Sequence, residues 1–231
     1  MPAKIEVALV ASPPEDAAPL PLREQILVRA RRFSARRGQI IIAEGNASTD
    51  VYLIESGKVQ ISVFSLHGKE TILREMGAGE LFGELAAIDQ QPRSSSVVAL
   101  EDCVLACISG EAFRDILSSD PAASYWIARH LVAMIRDLTE KAFELATMSV
   151  SNRLQSELLR LGGETGANGD LCLIPHLPTH ADLAARIGTH REAVTRELGL
   201  LAGEGIVHQA GRRLTILSLA RLRALRDRTL R

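Results

Sequence analysis

Two stretches of this 231-residue chain carry side chains whose types and spacing suit chemistry. The first runs Phe82-Gly83-Glu84-Leu85-Ala86-Ala87 and resumes at Pro92-Arg93-Ser94-Ser95-Ser96-Val97. A short helix starting at Gly83 points free backbone N–H groups at one spot, and glycine allows close approach, so the place suits an anion such as phosphate. Arg93 can add a bidentate, charge-assisted pair to the same phosphate. Glu84 would repel that anion unless it accepts a hydrogen bond from a hydroxyl, and a ribose hydroxyl is such a donor. Phosphate plus sugar is a nucleotide.

The second stretch is Pro178-Thr179-His180-Ala181-Asp182-Leu183-Ala184-Ala185-Arg186-Ile187-Gly188-Thr189-His190-Arg191-Glu192-Ala193-Val194-Thr195-Arg196-Glu197-Leu198. Thr179, with Asp182 three residues on, is close to a capping box and starts a helix. Leu183, Ala184 and Ile187 form its apolar face, Gly188 makes the turn, and Val194, Leu198 and Leu201 face the same core from the next helix. Arg191, Glu192 and Arg196 fall near the N-terminal end of that second helix, on its polar side. Arginine bidentate to guanine and glutamate accepting from the cytosine amino group are the major-groove contacts expected there. Ile206 to Leu217 reads as a hairpin turning near Ala210-Gly211, with Arg212 and Arg213 placed for phosphates. This is a winged helix-turn-helix, with Thr179, Arg191, Glu192, Arg196 and Arg212 as candidate DNA contacts.

Positioning these residues takes two modest domains, which the chain length accommodates. Residues 1–20 are rich in Ala and Pro, lack either period, and are expected to be a flexible leader. Over 21–120, strand-like runs (Gln39 to Ile42, Val51 to Ile54, Val59 to Phe64, Thr71 to Leu73, Val97 to Leu100, Val104 to Ile108) alternate with Gly45, Gly57, Gly68 and Gly79. Such spacing predicts an all-β roll or barrel of jelly-roll type. Asp120-Pro121 opens a long helix with no breaker before Gly162, proline being harmless in a first turn. Ala128, Leu131, Ile135, Leu138, Ala142 and Leu145 repeat in it at alternating spacings of three and four, the seam of a two-stranded coiled coil. Packing on its own roll is the alternative, and dimerisation through 121–150 is the expectation. The DNA-binding unit is placed at 151–231. The fold class is α+β.

Charge agrees with that division. The chain as a whole carries −1, yet residues 151–231 hold 12 Arg, no Lys and 8 acidic residues, a net +4, and residues 1–150 carry −5. A nucleic-acid surface therefore belongs at the C-terminal end. With 46% hydrophobic and 24% charged residues the chain can pack a core. No apolar run approaches the roughly 20 residues of a membrane span, so no membrane is expected. Glu6 inside the short apolar stretch Ile5 to Leu9 argues against a secretory signal, which predicts a cytoplasmic protein. The 3 cysteines suit a reducing compartment. Cys103 and Cys107 lie about 13 Å apart on one strand, beyond disulfide reach.

Residue by residue, the first stretch resembles the phosphate-binding cassette of cyclic-nucleotide-binding domains, over roughly residues 20–150. The resemblance implies that Gly83 and Leu85 contribute to the phosphate and sugar pocket, that Glu84 meets the ribose 2′-OH, and that Arg93 pairs with the cyclic phosphate. It implies that Ser94 bonds phosphate or base. The order of roll, long helix and winged helix-turn-helix is similar to the CRP/FNR family of bacterial transcription regulators over nearly the whole chain. Its Arg-Glu-x-x-x-Arg recognition pattern stands as Arg191, Glu192 and Arg196. This implies cAMP or cGMP as allosteric ligand, with cAMP favoured, a homodimer, a TGTGA-like half-site in a two-fold repeat of double-stranded DNA, and RNA polymerase as a partner. It also implies that Thr139 contacts the purine across the dimer. Leu138 stands where the family's cAMP receptor carries a threonine.

Two other readings use the same residues. A haem or redox sensor on this scaffold would draw ligands from Pro2, His67, His130 and the cysteines, but their spacing supports no such set, and no metal is expected. A nucleotide-binding interaction module would need no DNA surface, and the basic C-terminal unit argues against it. No H-E-x-x-H, G-x-S-x-G or G-x-x-x-x-G-K-[ST] motif occurs, so no enzyme is expected.

Overall fold

The computed structural model describes residues 17–66, 68, 70–165 and 169–228. Most of the expected leader, and His67, fall outside the described residues. Among the described residues, Ala18 is already packed, although it lies within the span 1–20 expected to be a leader. Ala18 is buried and its N–H donates to Gly79 O at 2.9 Å. Leu22 and Ile26, one turn apart, then bury the inner face of helix α1 (Leu20–Arg29).

The strands that follow are β1 (Arg31–Ala35), β2 (Ile40–Ile42), β3 (Val51–Ser56), β4 (Val59–Phe64), β5 (Glu70–Met76) and β6 (Leu81–Phe82). Helix α2 (Glu84–Asp89) interrupts them before β7 (Ser96–Ala99) and β8 (Cys103–Ile108). They form two four-stranded sheets, ordered β1-β8-β3-β6 and β2-β7-β4-β5. The pairs β1–β8, β2–β7, β3–β6, β3–β8 and β4–β7 are antiparallel, as a roll requires. Alternation shows on β7, where Val97 and Ala99 are buried between partly exposed neighbours. One apolar cluster joins Ile42, Tyr52, Ile54, Val59, Phe82, Val97 and Leu105. A second packs α1 and helix α3 (Gly110–Ser119) on Val51, Leu53, Ala106 and Ile108. Ser109 caps α3, accepting from Ala112 N–H.

Helix α4 (Pro121–Thr147) lies within the 121–150 span expected of the long helix and ends well short of Gly162, the first breaker in the sequence. It stops before Met148-Ser149, and α5 (Val150–Thr165) begins. Ser149 Oγ accepts from Asn152 N–H at 3.2 Å, and Arg153 Nη1 donates to Met148 O at 2.7 Å. A hydroxyl cap and an arginine thus satisfy both helix ends at the break, work that glycine or proline often does. Then follow β9 (Cys172–Ile174), α6 (His180–Ile187), α7 (Arg191–Gly203), β10 (Val207–Ala210), β11 (Arg213–Ile216) and α8 (Leu219–Arg228). The three strands order β10-β11-β9, and Leu154, Leu158, Leu183, Ile187, Val194, Leu198 and Leu214 share one core with them.

Contacts divide the chain into two units, one containing Arg74–Leu131 with the residues up to Val63, the other containing Phe64–Leu73 with Val132–Arg231. Helix α4 contributes to both. In the second unit, Lys141 Nζ donates to Ile72 O at 2.5 Å, tying the β4–β5 hairpin to the helix. Among the described residues no helix is long and apolar enough to cross a membrane. Cys103, Cys107 and Cys172 are buried thiols outside any disulfide.

Candidate nucleotide site and nucleic-acid interface

Gly83 caps α2 at φ +88°, the left-handed conformation that glycine adopts without cost. A Cβ there would sit 2.7 Å from Arg93 Nη1 and 2.7 Å from Asp50 O. The absence of a side chain is therefore what lets Arg93 lie against this turn. Arg93 is 4% exposed. Its Nη1 donates to Gly83 O at 2.9 Å, Nη2 to Asp50 O at 2.6 Å and Nε to Ser48 Oγ at 3.1 Å. Burial lowers its pKa, while the neighbouring Tyr52, Asp50 and Glu84 pull the other way. The group stays charged, held in a fixed plane by three partners.

Glu84, the first residue of α2, is equally buried at 4% exposure. Burial raises its carboxyl above the ordinary carboxylate range, against the pull of its own backbone N–H, Arg74 and Arg93. A buried acceptor beside a buried guanidinium is a place where a hydroxyl and an anion can be bound side by side. Leu85, next after Glu84, and Ser94, next after Arg93, are exposed. The structure thus brings Gly83, Glu84 and Arg93 together. Thr139 lies on α4 in the second unit, exposed, its Oγ1 donating to Ile135 O at 2.8 Å.

In the C-terminal unit Thr179 forms a full capping box. Its hydroxyl accepts from Asp182 N–H at 3.1 Å and donates to Asp182 Oδ2 at 2.7 Å, so both roles of that hydroxyl serve the helix start. Gly188 ends α6 at φ +68°, where a Cβ would come within 2.6 Å of Leu145 Cδ2. Arg153 Nε donates to Ile187 O at 2.8 Å and closes the same helix end. The turn sets α7 against α6, with Ala193, Val194, Leu198 and Leu201 buried. Arg191, Glu192, Thr195 and Arg196 are left exposed on the other side. Arg196 pairs with Glu197 at 3.3 Å. Thr195 Oγ1 donates to Arg191 O at 3.0 Å and lies 2.8 Å from His180 Nδ1. Arg212 and Arg213 are exposed at the turn of the β10–β11 hairpin.

Sequence reasoning missed Ser48 and Asp50, which hold Arg93 through a hydroxyl and a backbone carbonyl that no motif marks. It also passed over Arg153, and over Thr195, whose position four residues after Arg191 was the available signal. His130, offered as a haem ligand, is 6% exposed and stacks on Trp126 at 5.1 Å. Among the described residues no group of three or more His, Cys, Asp or Glu side chains could hold a metal ion.

Comparison with known proteins matches a cyclic nucleotide-binding domain over residues 32–120 and a Crp-like helix-turn-helix domain over 152–225. The cyclic AMP receptor protein of Thermus thermophilus is 34% identical over 171 residues, which cover 74% of this chain and 76% of that protein. The chain belongs to the CRP/FNR family. Like the family, it is a cyclic-nucleotide-binding, DNA-binding transcription regulator and not an enzyme. A CRP-like cAMP-activated global transcriptional regulator of Mycobacterium tuberculosis is 29% identical, covering 80% of this chain and 84% of its own. Among solved CRP/FNR structures, the c-di-GMP responsive global regulator CLP of Xanthomonas campestris superposes with a TM-score of 0.76. It is 26% identical, over 85% of this chain and 98% of that one.

Proposed function

We propose that this regulator is a cytoplasmic homodimer that binds cAMP, or cGMP in its place, in the turn built by Gly83, Glu84, Leu85, Arg93 and Ser94. Arg93 takes the cyclic phosphate through its fork of donors, and Glu84 accepts from the ribose 2′-OH. Thr139 on the long helix meets the purine across the dimer. Residues 21–120 form the sensing roll, 121–150 the dimer helix and 151–231 the DNA-binding unit. The ligand-bound dimer presents two α7 helices to a two-fold TGTGA-like site, where Arg191, Glu192 and Arg196 read bases and Thr179 and Arg212 face the backbone. RNA polymerase is the partner through which occupancy of that site changes transcription.

One observation carries this reading: a buried arginine and a buried glutamate share one glycine turn, in a chain whose α7 leaves Arg191, Glu192 and Arg196 exposed. The apolar residues exposed along α4 support the dimer, with Ile135 62% and Leu138 46% exposed in the single chain. The named ligand of the Thermus and Mycobacterium relatives supports cAMP. The name of the Xanthomonas protein supplies the competitor, cyclic di-GMP. Calorimetric titration of the full chain with cAMP, cGMP and cyclic di-GMP decides. One mononucleotide bound per chain is expected, and binding of cyclic di-GMP alone would overturn the reading.

A further inference from the structure

We propose that Thr195 is a further specificity-determining residue of the DNA interface, reading the 5-methyl group of a thymine, and that His180 positions it. The inference rests on α7 being the recognition helix. At about 100° of rotation per residue, Thr195 falls roughly 40° from Arg191, between it and Glu192 at roughly 100°, with Arg196 at roughly 140°. All four are exposed, so Thr195 sits inside the face that meets the base edges.

Its hydroxyl is already committed. Oγ1 donates to Arg191 O at 3.0 Å and lies 2.8 Å from His180 Nδ1. A hydroxyl has one proton, so with that proton on the Arg191 carbonyl the histidine is the donor, Nδ1–H to Oγ1. Threonine in a helix otherwise divides between two χ1 rotamers, and two hydrogen bonds select one. What the side chain has left to present is its Cγ2 methyl group, and a threonine methyl against the thymine methyl is one of the apolar contacts of the major groove. His180 belongs to α6, so the same bond ties the first turn of α6 to the second turn of α7. His180 acts through Thr195 and is a positioning residue.

The test uses the full chain with cyclic nucleotide and the duplex it selects from a pool with randomised half-sites. Each thymine of that duplex is replaced in turn by deoxyuridine, which removes one methyl group and nothing else. Wild-type affinity is expected to fall about fourfold, the worth of one buried methyl, at one thymine in each half-site. Thr195→Ser keeps the hydroxyl and is expected to bind the thymine and deoxyuridine duplexes equally at that pair. His180→Ala is expected to shrink the same ratio, and thermal melts of each variant report whether it is folded. Half-sites selected without thymine, deoxyuridine tolerated at every position, or a ratio unchanged in Thr195→Ser would each overturn the proposal. Arg191→Ala and Glu192→Ala are scored for guanine and cytosine preference on the same duplexes. If neither changes it, the recognition-helix reading fails and takes the Thr195 assignment with it.

Discussion

With one guanidinium Arg93 holds the carbonyls of Gly83 and Asp50, and in the proposed reading the same group offers its charge to a phosphate. Arg93→Ala is expected to cost on the order of a hundredfold in cyclic nucleotide affinity, since two charge-assisted hydrogen bonds at about 1.5 kcal/mol each are lost. Arg93→Lys keeps the charge without the fork and should recover only part of it. Calorimetry reads both, and unchanged affinity in Arg93→Ala would remove Arg93 from the site. Glu84 makes an opposite demand. Its carboxyl is raised above 4.5 by burial, so the folded chain holds that proton more tightly than the unfolded one. Stability therefore falls as pH rises from 4.5 through the folded pKa. Glu84→Gln, neutral throughout, is expected to melt above wild type at pH 7 without ligand, with the gap closing below pH 4.5. Roughly tenfold weaker cyclic nucleotide binding should accompany it. A melting gap that is the same at pH 4 and pH 7 would contradict the burial argument.

The face of α7 proposed to meet DNA is set by how α6 meets α7. Thr179→Ala removes the capping box and should lower the stability of the C-terminal unit by about 1 kcal/mol, read by urea unfolding. Gly188→Ala forces a side chain into a left-handed turn against Leu145 and should cost about 1–2 kcal/mol. A stability equal to wild type in either variant would show that these ends do not set the turn. Both features were legible in the sequence, as were the Gly83 turn before α2 and the hairpin around Ala210-Gly211, because each rests on local chemistry within a few residues. Other elements were not. Strands β1 and β6 lie outside the runs picked by alternation, and the order of strands depends on pairings between residues as distant as Arg31 and Cys107. Helix α1 shows only Leu22 and Ile26 on its buried face, too few to declare a period. The break before α5 carries neither glycine nor proline, and its signal is the capping pattern of Ser149 three residues before Asn152. Within the site, Glu84 and Arg93 could be read from their types, whereas Ser48 and Asp50 act through atoms that any residue or any small hydroxyl supplies.

In the whole molecule, the proposed dimer couples a ligand turn in the N-terminal unit to a DNA face in the C-terminal one. Ligand must then bind more tightly to the DNA-competent arrangement than to the other, and by linkage DNA must tighten ligand by the same factor. Placing glutamates at Ile135 and Leu138 together should halve the mass seen in sedimentation and bring affinity for a two-half-site duplex down to that of a single half-site. A dimer that survives this double substitution would place the interface elsewhere. The most direct test of the central claim is the anisotropy of a labelled duplex bearing TGTGA and its inverted repeat, with and without cAMP, at one stated salt concentration. Tightening by about 5- to 150-fold on adding cAMP, or cGMP in its place, is the predicted result. Affinity indifferent to both nucleotides would contradict it.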